Sequence, residues 1–498
     1  MNKVKNGYKL IAYYLSLFII FIGFILLLPL FMLIFYPNEL PYAYCFIIPG
    51  IGSIIIGFIL FFIFKNCEKK NLERHQDAVF VVSIWLIAIL FASFPFLLKG
   101  DNTFTQCIFE ACSGFSTTGF TILDVEMTPY IFLFFRDLML FVGGVGLILI
   151  ITCAISDRFG LRLYNAEGHN DKLLPNIAKS ARIIFLFYFV FILVGTVALI
   201  LCKVDPFDAF SHAIAAVSTG GFSTKNNCIA FYDNVWVEII LCVLMILGGT
   251  SFVIHLSFFK GKFKNVFFDG EIRFLYITLL IAIPLGALLL LNNCVGIEID
   301  SSSYLNCLRI SGFNLISAIT TTGFSNVSFG STGAPTLPYA FYVIVILFML
   351  IGGCNGSTSG GIKIYRVVVA IKSMWYSIKD KMSNKRLIKT HFYLRNGNYI
   401  EMDKNESNSI LTFILVYFVI FFFGSFLISL FGFNFGESAF EYASALGGVG
   451  LSVGIVSASA NPGVLWIIMG GMFFGRLEIF IIFQAILRMV NDIRKKEC

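Results

Sequence analysis

Ser116-Thr117-Thr118-Gly119-Phe120-Thr121 decides how the rest of the chain is read, because nearly the same string returns three times. Ser218-Thr219-Gly220-Gly221-Phe222-Ser223 is the second copy and Thr320-Thr321-Thr322-Gly323-Phe324-Ser325 the third. Gly447-Gly448-Val449-Gly450-Leu451-Ser452 is a looser fourth. The shared glycines, Gly119, Gly221, Gly323 and Gly450, recur at intervals of 102, 102 and 127 residues. Each string lies between two long apolar runs, in a segment too short to cross a bilayer. A repeat of this kind sets the architecture before any local reading. One unit, helix–short segment–helix, is used four times about a common centre.

The surroundings are those of a membrane protein. Of 498 residues, 58% are hydrophobic and 13% charged, and the mean hydropathy is +0.86. Soluble domains carry roughly 25% charged residues, so a soluble domain is excluded. Apolar runs near 10–35, 42–64, 78–98, 130–154, 183–201, 235–259, 274–291, 339–371, 410–431 and 464–490 predict about ten spans. Most are close to the ~20 residues that ~30 Å of hydrocarbon requires. The predicted fold is an all-α integral membrane protein with four re-entrant pore loops in fourfold pseudosymmetry. Two leading helices occupy 1–75, and the four repeats occupy 76–180, 181–270, 271–405 and 406–498. The first run is too long for a signal-peptide core. The twelve cysteines show no metal or redox spacing and read as buried thiols. The net charge of +7 lies in the loops and predicts no nucleic-acid surface.

Lys and Arg in the loops set the orientation. Arg74, Arg158, Arg162, Lys172, Lys179, Lys260, Lys262, Lys264 and Arg273 share a side with the N-terminus and with Arg488, Arg494, Lys495 and Lys496 at the C-terminus. That side is predicted to be the cytoplasm. The motif segments then open outward, near Asp101, Asp124, Asp208, Glu298 and Glu437.

Ahead of each motif is a short apolar helix-like stretch of roughly two turns: 109–115, 210–217, 313–319 and 440–446. A helix that stops inside the membrane leaves its last carbonyls unpaired, with partial negative charge. Irregular backbone at that depth is tolerated only when buried in protein or lining a wet cavity. Glycine then lets carbonyls be aimed inward, where a ring of them replaces an ion's hydration shell. One such string in a loop would be an ordinary turn; four at equivalent positions predict a selectivity filter for a monovalent cation. Its expected members are Ser116, Thr117, Thr118, Gly119, Thr219, Gly220, Gly221, Thr321, Thr322, Gly323, Gly448, Val449 and Gly450.

Glycine pairs also recur in the second span of each repeat: Gly143-Gly144, Gly248-Gly249, Gly352-Gly353 and Gly470-Gly471. Close helix packing accounts for the first two pairs. The third opens the stretch Gly352-Gly353-Cys354-Asn355-Gly356-Ser357-Thr358-Ser359-Gly360-Gly361, with five glycines in ten residues. At about 1 kcal/mol each against alanine, it should not stay helical. It is predicted to be an unwound segment below the filter. Gly356 to Lys363 lacks the G-K-[ST] ending of a nucleotide-binding loop. Arg476, a charge inside the last span, should face the bundle. It is expected to donate to carbonyls of the unwound segment and hold it across the pore, the bland alternative being a pairing with Glu478. His212 and His255 read as hydrogen-bonded structural groups. The basic stretch 363–404 is either positive-inside charge or a dock for a regulator.

The four motifs, the two leading spans and Gly475-Arg476-Leu477-Glu478 resemble the bacterial Trk potassium-uptake pore subunits of the Trk/Ktr/HKT superfamily, over essentially the whole chain. The resemblance implies four potassium-channel-type repeats about one pore, with K+ as the transported ion and no organic cofactor. In that family glycine at all four filter positions goes with potassium preference, and serine in the first repeat with sodium permeation. The fourth repeat here departs from T-x-G-F, as the family's last repeat does. Ten spans fit the Trk branch better than the eight-span Ktr branch. The resemblance further implies that the intramembrane loop gates, that a cytoplasmic RCK/KTN-type nucleotide-binding subunit regulates it, and that the pore subunit is a homodimer. It places the chain in a bacterial inner membrane, in contact with lipid, with both termini cytoplasmic. A sodium- or proton-coupled symporter on the same scaffold is the alternative. A transporter of inverted repeats and a membrane enzyme are disfavoured, since the repeats run in one direction and no cluster of ionisable groups accompanies them.

Overall fold

The computed structural model describes residues 2–67, 76–146, 177–293, 301–331, 334–382, 390–395 and 397–497. Arg74, Arg158, Arg162, Lys172 and Glu298, with the end of the 130–154 run, lie outside them. The described chain is helical apart from turns and two small antiparallel hairpins. One pairs Gly330–Ser331 with Ala334–Pro335, the other Phe392–Arg395 with Asn398–Glu401.

Among the described residues six helices are long and apolar enough to cross a bilayer: Gly7–Ile34, Tyr44–Phe64, Gln76–Lys99, Arg182–Leu201, Gly270–Leu291 and Lys404–Ser429. Large apolar side chains stay exposed on their outer faces. On the fourth of these helices Leu186, Phe189, Val190, Leu193, Val194 and Val197 form such a stripe. Their spacing follows the helical period, as it does when the solvent on that face is lipid. The first two helices lie close together where glycine leaves room. A β-carbon at Gly57 would stand 3.0 Å from the Ser16 carbonyl oxygen, a small-residue contact of the kind that brings membrane helices together.

Between these spans sit four shorter helices leading into the motifs: Phe104–Phe115, Pro206–Val217, Ser301–Ile319 and Phe435–Gly447. We call them the lead helices. They end where the sequence places the ends, within one residue, but they are longer than the two turns expected. Their extra turns are polar, so an apolar run could not reveal them. Asp205 caps the second by accepting from the Phe207 N–H (3.0 Å), and Thr103 with Gln106 closes a capping box on the first. All residues from Ser438 to Gly447 are buried. The lead helices are therefore the centre of the molecule.

The second helix of each repeat differs from expectation more. The 235–259 run is long enough for one span, but Val235–Gly249 and Phe252–Phe259 meet at 104°. The 464–490 run likewise breaks into Pro462–Leu477 and Ile479–Arg494 at 100°. Tyr339–Ile351 stops at Gly352, and helix resumes only at Ile364. Tyr130–Val145 stops at Gly146, whose φ is 97°. Unwinding thus belongs to several repeats and not to the third alone. In the second repeat the reason is local: Ser251 starts a new helix by accepting from the Val253 N–H (3.3 Å).

Candidate functional site

All four lead helices end in the same way. The residues after the last turn, Thr117, Thr219, Thr321 and Gly448, are left-handed, with φ of 53°, 51°, 55° and 66°. Their N–H groups donate to Gly114, Ala216, Ala318 and Ala445 (3.1–3.2 Å). The N–H groups of Thr118, Gly220, Thr322 and Val449 reach one residue further back, to Ser113, Ala215, Ser317 and Ser444 (2.8–3.0 Å). This pair of bonds is the Schellman cap, which glycine usually serves. Only the fourth repeat uses glycine there. A β-branched residue in this region costs of order 1–3 kcal/mol and persists when its surroundings over-determine it.

The motif glycine follows two residues later, with φ of 88°, 62°, 89° and 92° at Gly119, Gly221, Gly323 and Gly450. A β-carbon at Gly119 would stand 2.2 Å from the Gly220 carbonyl oxygen. At Gly221 it would meet Thr322 O at 2.0 Å, at Gly323 Val449 O at 1.8 Å, and at Gly450 Thr118 O at 2.0 Å. The contacts run from repeat one to two, two to three, three to four and back to one. The four segments therefore surround one axis, in sequence order, pointing the same way. Their N–H groups are spent on the lead helices: Gly323 and Gly450 donate to Ser317 Oγ (3.0 Å) and Ser444 Oγ (2.9 Å). The carbonyls, not the N–H groups, are left for the axis. The hydroxyls turn back on the lead helices instead: Ser116 Oγ is 3.3 Å from Ser113 O and 2.7 Å from Thr118 Oγ1, and Thr320 Oγ1 is 2.7 Å from Ile316 O and 2.9 Å from Thr322 Oγ1.

On one side of the ring is a cavity of 590 Å³, lined by the four motif glycines and by Ser223, Ser325 and Ser452. Lys225 also borders it, but its ammonium is 3.2 Å from the Asp208 carboxylate. Asp208, read as a rim acid, is instead buried and accepts from Thr224 (2.7 Å) and Tyr232 (2.9 Å). Its position on the first turn of a lead helix, facing the segment beyond the motif, is the physical reason.

On the other side lies the unwound segment from Gly352 to Gly361. Its Thr358 hydroxyl is 3.1 Å from the Val217 carbonyl and 3.0 Å from that of Gly248, and 3.1 Å from Thr219 Oγ1. The Gly360 N–H donates to Thr321 Oγ1 (2.8 Å). A β-carbon on Gly360 would lie 2.1 Å from the Gly447 carbonyl oxygen. Cys354 N–H donates to Gly249 O (2.9 Å), and Asn355 N–H to Glu271 (2.7 Å). Gly353 and Gly352 open the segment, and Ser357 and Ser359 join hydroxyls within it (2.6 Å). Gly356 accepts from the Phe252 N–H (3.2 Å), which fastens the segment to the break in the second repeat. Two of the three left-handed threonines, Thr219 and Thr321, thus also hold what lies beneath them.

Arg476 closes the assembly. Its guanidinium donates to Thr358 O (3.3 Å) in the segment and to the Gly143 carbonyl of the first repeat. Glu478, the alternative partner, pairs instead with Arg366 at 2.7 Å. A left-handed φ of 56° at Glu478 turns it away from the helix carrying Arg476. The glycine pairs also need correcting. Gly143 and Gly248 press on the last carbonyls of the first two lead helices, at 2.2 Å from Phe115 O and 2.5 Å from Val217 O for an added β-carbon. Their counterpart in the fourth repeat is Gly475, at 2.2 Å from Leu446 O; nothing lies within 4 Å of such a carbon at Gly470. Distance from the motif glycine held the signal. Gly143, Gly248 and Gly475 follow it by 24, 27 and 25 residues, and Gly470 by only 20.

His212 and His255 are both bonded, His212 to Asp208 O (2.6 Å) and Ser223 Oγ (3.0 Å), His255 to Leu247 O (2.9 Å). Among the described residues no group of three His, Cys, Asp or Glu is placed to hold a metal ion. The ring of carbonyl oxygens suits a hard cation stripped of its water.

The chain is similar to known proteins over most of its length. The profile of a family described as "TrkH: Cation transport protein" matches residues 46–491. An uncharacterized cation transporter of Methanocaldococcus jannaschii is 30% identical over 470 residues, covering 92% of this chain and 91% of that protein. The Trk system potassium uptake protein TrkH of Escherichia coli K12 is 27% identical, over 83% of this chain and 85% of that one. Among solved structures, the crystal structure of the potassium transporter TrkH from Vibrio parahaemolyticus superposes with a TM-score of 0.82 at 23% identity. It covers 96% of this chain and 98% of that one, which shows a shared fold.

Proposed function

This chain belongs to the TrkH family of cation transport proteins, and from that premise we propose that it takes up potassium through a filter made by its four motif segments. It is a multi-pass membrane transporter and not an enzyme. The single observation that carries the potassium reading is the closed ring of glycine-to-carbonyl approaches through Gly119, Gly221, Gly323 and Gly450. The ion leaves the outer cavity, exchanges water for the carbonyls of Thr118, Gly220, Thr322 and Val449 and their neighbours, and passes inward. Thr117, Thr219, Thr321 and Gly448 shape the inner end. A membrane potential supplies about 2.3 kcal/mol per charge per 100 mV in that direction.

The Gly352–Gly361 segment, bonded beneath the ring, acts as the gate, and Arg476 is its latch. A cytoplasmic RCK/KTN-type nucleotide-binding subunit would shift the gate by binding one of its states more tightly. The pore subunit would be a homodimer in a bacterial inner membrane, with both termini in the cytoplasm. The word "system" in the relatives' name supports a partner, and the pattern of basic loops supports cytoplasmic termini.

Ion flux into liposomes containing the purified protein tests the reading. Potassium should enter down its gradient in preference to sodium, without needing a gradient of sodium or protons. Equal fluxes of the two ions would sink the potassium filter. A flux that vanishes without a second gradient would favour coupled symport.

A further inference from the structure

The lead helices share a second register that the motif strings do not display. Nine residues before each motif glycine stands a polar side chain: Glu110, His212, Asn314 and Glu441. All four are buried, at 0–1% exposure. Each reaches forward to the strand that leaves the motif. Glu110 accepts from Thr121 Oγ1 (3.0 Å) and the Ile122 N–H (3.3 Å). His212 Nε2 is 3.0 Å from Ser223 Oγ, and Asn314 Nδ2 donates to Asn326 (2.7 Å). Glu441 accepts from Ser452 Oγ (2.7 Å), the Val453 N–H (3.0 Å) and the Val456 N–H (3.1 Å). A buried carboxylate is costly unless its donors are well placed. Two of the four repeats keep one.

We propose that these four side chains are positioning residues that clamp the exit strand of each filter segment, and that Glu441 is the clamp on which discrimination between potassium and sodium most depends. The reason lies in the fourth repeat's own sequence. Its Gly447-Gly448-Val449-Gly450 lacks the β-branched threonine that restricts the other three caps, so its backbone has the most freedom. Yet Val449 O stands nearest of all to the neighbouring segment, at 1.8 Å from a β-carbon on Gly323. A pliable segment in the tightest place needs an external hold, and three bonds to one carboxylate provide it. Glu110 has a different share of the task. Its partner Arg136 (2.9 Å) lies 3.9 Å above the Phe222 ring, which ties the first repeat to the second. A carbonyl ring selects by spacing, number and field of its dipoles, so a strand that drifts changes selectivity before it changes the fold.

The inference rests on the filter reading. Its test is potassium and sodium influx into liposomes containing the purified full-length chain. Glu441→Gln keeps the shape but turns one acceptor into a donor. It should lower the potassium-to-sodium flux ratio about tenfold and raise the half-saturating potassium concentration, with a smaller change in maximal flux. Glu441→Asp should recover part of the ratio. Ser452→Ala removes a single donor; it should lower the ratio less, and add nothing further in the Glu441→Gln background. Ser438→Ala, on the same lead helix and making no bond to the exit strand, should leave the ratio within twofold. An unchanged ratio in Glu441→Gln, or an equal fall in Ser438→Ala, overturns the clamp. Should Glu441→Gln fail to fold, an unchanged ratio in Ser452→Ala does the same. Gly323→Ser, measured in parallel, separates the two ideas. Lost discrimination there alone keeps the filter and removes the clamp, whereas no loss in either variant removes the filter itself.

Discussion

A threonine with φ near +50° is a strained residue, and three of the four filter segments keep one: Thr117, Thr219 and Thr321. Glycine would relax the backbone, as Gly448 does in the fourth, so the hydroxyl must matter. At Thr321 it accepts the Gly360 N–H, and at Thr219 it meets Thr358. Thr321→Val keeps the branching and volume but leaves that buried N–H without its partner, a loss of about 1–3 kcal/mol for the closed segment. Single-channel recordings should show open probability rising about tenfold or more; an unaltered value would remove Thr321 from gating. At Gly323 the constraint is harder. Any side chain would overlap Val449 O, so Gly323→Ser should abolish selective potassium flux while the purified protein stays monodisperse.

At the scale of elements, the broken second helices matter more than their lengths. The breaks in the first three repeats free backbone groups that find a partner in another repeat: Gly249 O bonds Cys354, Gly356 O bonds Phe252, and Gly143 O bonds Arg476. Arg476→Ala would take one bond from the gate segment and one from the first repeat. Open probability should rise, with selectivity kept, because the guanidinium touches the gate segment and the Gly143 carbonyl rather than the filter. A selectivity change of the same size would show that the two layers are one unit. The hinge at Glu478 makes a related prediction. Glu478→Gln weakens the pair with Arg366 (2.7 Å), which links the helix after the gate to the fourth repeat's break. It should raise open probability less than Arg476→Ala, since the partly exposed pair contributes only ~1 kcal/mol.

Across the whole molecule, the strength of the reading comes from repetition. Four strings of similar residues, in one direction and between apolar runs, were enough to determine an all-α membrane protein with its motif segments inside it. Composition and period demand this, since a polar segment cannot rest in lipid and four equivalents must share one environment. The third unwound segment was legible for the same kind of reason, because five glycines in ten residues cannot hold a helix. Other features had no signal in a linear reading. The break at Glu478 follows an ordinary residue, Leu477, and its carboxylate pairs with Arg366 of the third repeat. Glu110, His212, Asn314 and Glu441 differ in chemistry, so no pattern of like residues joins them; they share a place only once four helices are laid around one axis. The sequence by itself determined which segments converge. Which atoms meet there was decided by tertiary structure alone, since contacts between residues a hundred positions apart depend on rotation and depth that no local preference encodes.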